Sequence, residues 1–112
     1  MPGGSFPDIT GQVVDVNGDP VQGVRVSARD VGSLGTVLSS DRTSDRGRFR
    51  LAAITSEELG LKFNGTRVGF EAGWLSCFRD GAAVYQVVAT WGAACSHAPG
   101  PLEGPVRMDA AP

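Results

Sequence analysis

The chain has 112 residues, one compact domain's worth, with ten basic and twelve acidic side chains and a formal net charge of −2. That balance supplies no field to gather nucleic acid or an anionic membrane, and no apolar run approaches the roughly 18 residues of a bilayer span. Sixteen Gly and seven Pro imply many turns, and thirteen Val against seven Leu and two Ile favour strands, because β-branched side chains pack well on a pleated surface.

Residues 1–7 hold two Gly and two Pro and read as an N-terminal extension; they carry neither the basic segment nor the apolar stretch of a signal peptide, so no intact leader is expected. Ile9 to Val16 is rich in Val and runs into Asn17-Gly18, a pair that tolerates the positive φ of a tight hairpin. Pro20 cannot donate to a ladder and falls within the reversal that ends at Gly23. Val24, Val26 and Ala28 alternate with Arg25, Ser27 and Arg29, which predicts a strand with one face inside and one in water. Thr36 to Ser40 predicts a short strand and Asp41 to Gly47 a polar turn. In Arg48 to Leu51 the alternation returns, with Phe49 and Leu51 inward. Thr55 and Glu58 stand three apart, as in a capping box, and predict one short helical turn.

Two further strands follow from alternation: Leu61 and Phe63 against Lys62 and Asn64, then Val68, Phe70, Ala72 and Trp74 against Arg67, Gly69, Glu71 and Gly73. Asp80-Gly81 reads as a hairpin turn joining Trp74–Phe78 to Ala82–Trp91. The second of these is apolar on both faces, Val84 and Val88 on one and Tyr85, Val87 and Trp91 on the other, so it needs a cover. Residues 98–112 contain four Pro and two Gly and read as a tail that forms no strand core. The expected domain is therefore 8–97, an all-β antiparallel β-sandwich of about seven strands with at most one short helical turn.

The stretches Gly11-Gln-Val-Val-Asp15, Gly18-Asp-Pro20-Val-Gln-Gly23-Val-Arg-Val26 and Thr43-Ser-Asp-Arg-Gly47-Arg-Phe49 resemble the carboxypeptidase regulatory-like domain family. The likeness spans roughly residues 9 to 54, and Ser44 and Arg46 replace acidic residues usual around that glycine. It implies an immunoglobulin/transthyretin-like sandwich and a non-catalytic module of the kind found beside secreted peptidase domains or in bacterial surface proteins. The residues agree on their own terms: Gly18, Pro20, Gly23 and Gly47 set turns or close backbone approaches, and Phe49 fills the core beside Val24 and Val26.

Candidate chemistry is sparse. Cys77 and Cys95, eighteen positions apart, are either bridged or buried as free thiols. His97 follows Cys95 by two, but its Pro-rich setting offers nothing rigid to orient a thiol–imidazole pair, so an exposed, idle side chain is expected. Cys77, Cys95 and His97 would give zinc three ligands without a fourth at a familiar spacing. Asp15, Asn17 and Asp19 start like a calcium loop, yet Pro20 and Val26 stand where Gly and Glu are needed. Metal-dependent intradiol dioxygenases share a similar sandwich but need two His and two Tyr, and the chain has one of each. Thr43-Ser44, Gly47 and Thr55-Ser-Glu-Glu58 resemble transthyretin-related hydrolases, whose centre needs several histidines. No catalytic residue, metal or cofactor is expected.

Two surfaces stand out. Arg42, Arg46, Arg48 and Arg50 form the one charge cluster and would grip an anionic group on a partner in fork geometry, unless Asp41 and Asp45 neutralise them. Trp74, Tyr85 and Trp91, with Phe78, would either stack on sugar rings or fill the core. The expected role is a structural or adhesive subunit of a larger assembly, such as a virion decoration or tail component or a cell-surface protein. Its partners would be proteins or its own copies; the alternatives are a glycan-binding domain and an accessory domain of a secreted peptidase.

Overall fold

The computed structural model describes residues 6–111, which are all-β: eight strands, no α-helix and two isolated 3-10 turns. The strands are β1 (Ile9–Val14), β2 (Arg25–Asp30), β3 (Ser33–Arg42), β4 (Arg48–Leu51), β5 (Leu59–Asn64), β6 (Ala72–Leu75), β7 (Tyr85–Val88) and β8 (Val106–Arg107). They form one mixed sheet in the order β3-β2-β5-β6-β7-β8-β1-β4, curled until it is nearly a barrel. Among the described residues no ladder joins its two ends, β3 and β4; the backbone N–H of Arg50 donates instead to the Asp41 carboxylate at 2.8 Å. The five N-terminal residues of the expected extension and Pro112 lie outside the described part.

The core follows the alternation wherever it was strongest. Val24, Val26 and Ala28 are fully buried, as are Leu61 and Phe63 of β5 and Leu51 of β4. Phe49 of β4 meets Phe63 of β5 edge to face across the interior, ring centroids 5.6 Å apart. Gly18, Gly23 and Gly47 all have positive φ, at 86°, 86° and 72°. At Gly47 the backbone also passes so close to β1 that any Cβ would collide with the Val13 carbonyl, while the Gly47 carbonyl accepts from Val13 N at 2.7 Å.

Several expectations need correction. The Asn17-Gly18 turn forms, but β1 and β2 share no ladder: beyond the Val14–Pro20 bridge the chain crosses to the other half of the sheet. No helical turn forms at Thr55, because the Ser56 hydroxyl donates to the Glu58 carbonyl and Leu59 is already drawn into β5; the 3-10 turns lie at Thr66–Val68 and Trp91–Ala93. The first of these shortens the expected Val68–Trp74 strand to β6, whose buried positions are Gly73 and Leu75 rather than Ala72 and Trp74. Gly73 sits inward because β7 approaches so closely that a Cβ would strike the Val88 carbonyl. In β7, Tyr85 and Val87 are buried and Gln86 and Val88 only half so, giving one core face instead of two.

The largest correction concerns residues 98–112. Val106 and Met108 are fully buried and β8 runs parallel to both neighbours, Val106 pairing with Val13 of β1 and Tyr85 of β7. A parallel pair cannot be joined by a tight turn. The long connection between β7 and β8 is therefore a crossover, pinned by Leu59–His97 backbone bonds of 2.8 and 3.0 Å and by Leu102 N donating to the Thr10 carbonyl at 2.9 Å. Two strand residues among prolines carry too little periodicity to stand out, although Val106 and Met108 do share one face.

Candidate functional site

The hairpin after β3 is held by Thr43. Its hydroxyl donates to the Val21 carbonyl at 2.7 Å and accepts from Val24 N at 2.9 Å, while its backbone N donates to the Val24 carbonyl and its carbonyl accepts from Gly23 N. Four bonds from one buried residue join the Pro20–Val24 reversal to the β3–β4 connection. Asp15 plays a similar part in the preceding turn, its Oδ1 accepting from Asn17 N at 2.8 Å and Asp19 N at 3.0 Å. That carboxylate is committed to backbone donors.

The aromatic set divides. Trp74 of β6 and Trp91 of the crossover meet edge to face on the outer surface, centroids 5.3 Å apart, and both are half-buried. Cross-strand register places Ser27, Lys62, Trp74 and Val88 in one outward row. The Lys62 ammonium lies 5.6 Å and the Arg29 guanidinium 5.9 Å from the Trp74 ring, both within cation–π range. Gly60 makes room for the pair: a Cβ there would stand 3.0 Å from the Trp91 ring, and 3.2 Å from both Trp74 and Leu34. Tyr85 does not join them. It is buried on the opposite face, its ring against Phe78 at 4.9 Å and His97 at 5.5 Å, and burial raises its phenol above the ordinary value. The sequence pairs Tyr85 with Trp91 only because it treats Ala82–Trp91 as one continuous strand.

The arginines divide too. Arg46, Arg48 and Arg50 stay on the exposed hairpin, where Arg50 pairs with Asp8 and Arg48 borders a cleft of about 540 Å³ between β1, β4 and the crossover. Arg42 turns to a different neighbourhood. It faces Arg25 directly across the β2–β3 ladder, and both line a cleft of about 260 Å³ with Gly23, Asn64, Thr66 and Arg67. Arg25 and Arg67 escaped sequence reasoning because only strand order brings them to Arg42.

Cys77 and Cys95 form a disulfide, their Cα atoms 5.1 Å apart, which ties the end of β6 to the crossover. His97 is not the exposed side chain expected. Its backbone pairs with Leu59, its ring packs edge-on against Tyr85, and its Nε2 is buried without a hydrogen-bond partner. Burial lowers its pKa below the ordinary value of 6.5, against a smaller opposing pull from the Leu75 and Ser76 backbone. With Cys95 bridged, the thiol–imidazole pair has no thiol. No protein-family model matches the chain, and no curated protein matches it either.

Proposed function

We propose that this chain is a non-catalytic β-module, a structural or adhesive subunit that assembles with further copies of itself through the free edge of β3. The observation that carries this reading is the edge itself. Over Ser33–Ser40 the strand is uncharged, lacks proline, and exposes Val37 to 49% while its outer backbone groups have no ladder partner among the described residues. Natural sheets usually blunt such an edge with charge, proline or bulges; β3 has register shifts opposite Ala28–Asp30 but neither charge nor proline over this stretch. Here an antiparallel pair of β3 strands about a two-fold axis would bring no like charges together over that stretch. A virion or a cell surface is the setting that suits such a subunit.

The finer architecture belongs to the same proposal. The packing of Phe49 against Phe63 supports reading β1 and β4 as one layer over β2 and β5 as another, in the manner of an immunoglobulin/transthyretin-like sandwich with its edges drawn together. The Thr43–Phe49 hairpin supports kinship with carboxypeptidase regulatory-like domains.

Light scattering coupled to size exclusion tests the assembly. The expected result is association that deepens with concentration and is abolished by Val37→Lys, which places a charge in the middle of the edge. A wild-type chain that stays monomeric up to its solubility limit overturns the proposal.

The Trp74–Trp91 pair favours a second reading, recognition of a surface glycan, because two half-exposed indoles flanked by Arg29 and Lys62 offer apolar faces beside hydrogen-bond donors. Titration of tryptophan fluorescence with oligosaccharides tests it, and an unchanged spectrum across a glycan panel rejects it.

A further inference from the structure

The geometry points to a binding site for a tetrahedral dianion, the phosphate group of a monoester, in the cleft formed by Arg25, Arg42 and Arg67. Three elements converge there: Arg25 opens β2, Arg42 closes β3, and Arg67 lies in the 3-10 turn after β5. Arg25 is the register partner of Arg42 on one side and of Asn64 on the other. Like charges placed directly opposite in an antiparallel pair destabilise it, and Arg67 adds a third positive charge to the same cleft.

Among the described residues nothing neutralises this group by an ion pair. Among the described residues the one ion pair is Arg50 with Asp8, and no carboxylate lines the cleft. Asp41, the nearest acidic residue in sequence, is engaged elsewhere, accepting from the backbone N of Arg42 and of Arg50, each at 2.8 Å. The polar neighbours are turned to donation as well. Asn64 Oδ1 accepts from Thr66 N at 3.1 Å and from the Thr66 hydroxyl at 2.7 Å, which leaves the Asn64 amide protons as its unused groups.

Three guanidinium groups and a free amide donor fit a group with three or more acceptor oxygens and a charge near −2. A single carboxylate would leave two of the three charges uncompensated. At about 260 Å³ the cleft has room for the oxyanion and part of what it is esterified to.

Amide chemical shifts followed by NMR, during separate titrations with inorganic phosphate and inorganic sulfate at an ionic strength held constant with chloride, test this site. The expected result is saturable binding of one anion, with shifts confined to Gly23, Arg25, Arg42 and residues 64–67. Arg25→Gln should weaken it about tenfold, the loss of one charge-assisted contact, whereas Arg48→Gln in β4, which lines the separate cleft against the crossover, should leave it unchanged. Phosphate affinity should rise as pH carries the anion through its second ionisation, while sulfate, a dianion throughout, stays flat; phosphate affinity that does not rise across that pH overturns the assignment of a dianion. Thermal unfolding gives an independent readout: without oxyanion Arg25→Gln melts at or above the wild-type temperature, and saturating sulfate raises the wild type more than the variant. Shifts that fail to saturate, or that spread equally to Arg46, Arg48, Arg79 and Arg107, overturn the proposal.

Discussion

The Thr43 hydroxyl donates to the carbonyl of Val21 at 2.7 Å, a buried bond just beyond the Arg25–Arg42 pair that ends the β2–β3 ladder. The same oxygen accepts from Val24 N, so removing it leaves one carbonyl and one N–H unsatisfied inside the protein. Each such orphan costs about 1–3 kcal/mol. Thr43→Val, which keeps the shape, should therefore lower the free energy of unfolding by about 2–4 kcal/mol in a urea titration, and Thr43→Ser should recover most of it. A Thr43→Val protein as stable as wild type would mean that the segments around Val21 and Thr43 hold together without this clamp.

His97 makes stability depend on pH in a defined direction. Its folded-state pKa lies below the ordinary value of 6.5, so below that value the unfolded chain binds more protons than the folded one. The contribution of neutral His97 is complete above pH 6.5 and is lost as pH falls through the lowered folded value. Denaturant midpoints measured in steps below pH 7.5 should decline across this window, and His97→Phe, which keeps a ring against Tyr85, should flatten that part of the profile. An equal decline in both proteins would assign it to the carboxylates instead.

What the sequence reveals depends on how locally each feature is determined. The core faces of β2 and β4 follow from period-2 alternation, and the turn glycines from their backbone freedom, since both are set within a few residues. Strand order is not local. Arg25 beside Arg42, Trp74 beside Trp91 and Tyr85 beside His97 each depend on which strands pair or how a crossover folds back. β6 shows the opposite failure: apolar alternation put Trp74 inward, but the tight approach of β7 reserves the inner position for Gly73. Only β8 had a local signal that went unread, in Val106 and Met108, because the surrounding prolines and glycines outweigh it.

The disulfide should stabilise the crossover more than the sheet as a whole. Closing a loop between positions separated by 18 residues is worth about 3 kcal/mol in the chain-entropy model. The intact protein should show a mass two hydrogens below that of its reduced form. Paired Cys77→Ala and Cys95→Ala substitutions should cost about that free energy, with the first losses of amide-exchange protection at position 95, whose N–H donates to the Leu75 carbonyl at 3.3 Å, and at the mutually bonded His97 and Leu59. Uniform loss across β2 and β5 would show that the bridge supports the whole barrel.

Gly60 decides whether the outer indole pair can exist. A methyl group there would stand 3.0 Å from the Trp91 ring and 3.2 Å from the Trp74 ring, closer than ordinary van der Waals contact, so at least one ring must move. Trp91 sits on the crossover and Trp74 on a paired strand, so Trp91 is the ring expected to yield. Gly60→Ala should therefore red-shift tryptophan emission as Trp91 gains water, and should lower stability by about 1–3 kcal/mol, the usual range for overpacking. The strand itself should persist, because Gly60 is the register partner of Arg29 and alanine adopts extended backbone readily. Retained far-ultraviolet circular dichroism with shifted emission is the expected signature. Unshifted emission at full stability would mean that the indoles have more freedom than their edge-to-face contact implies.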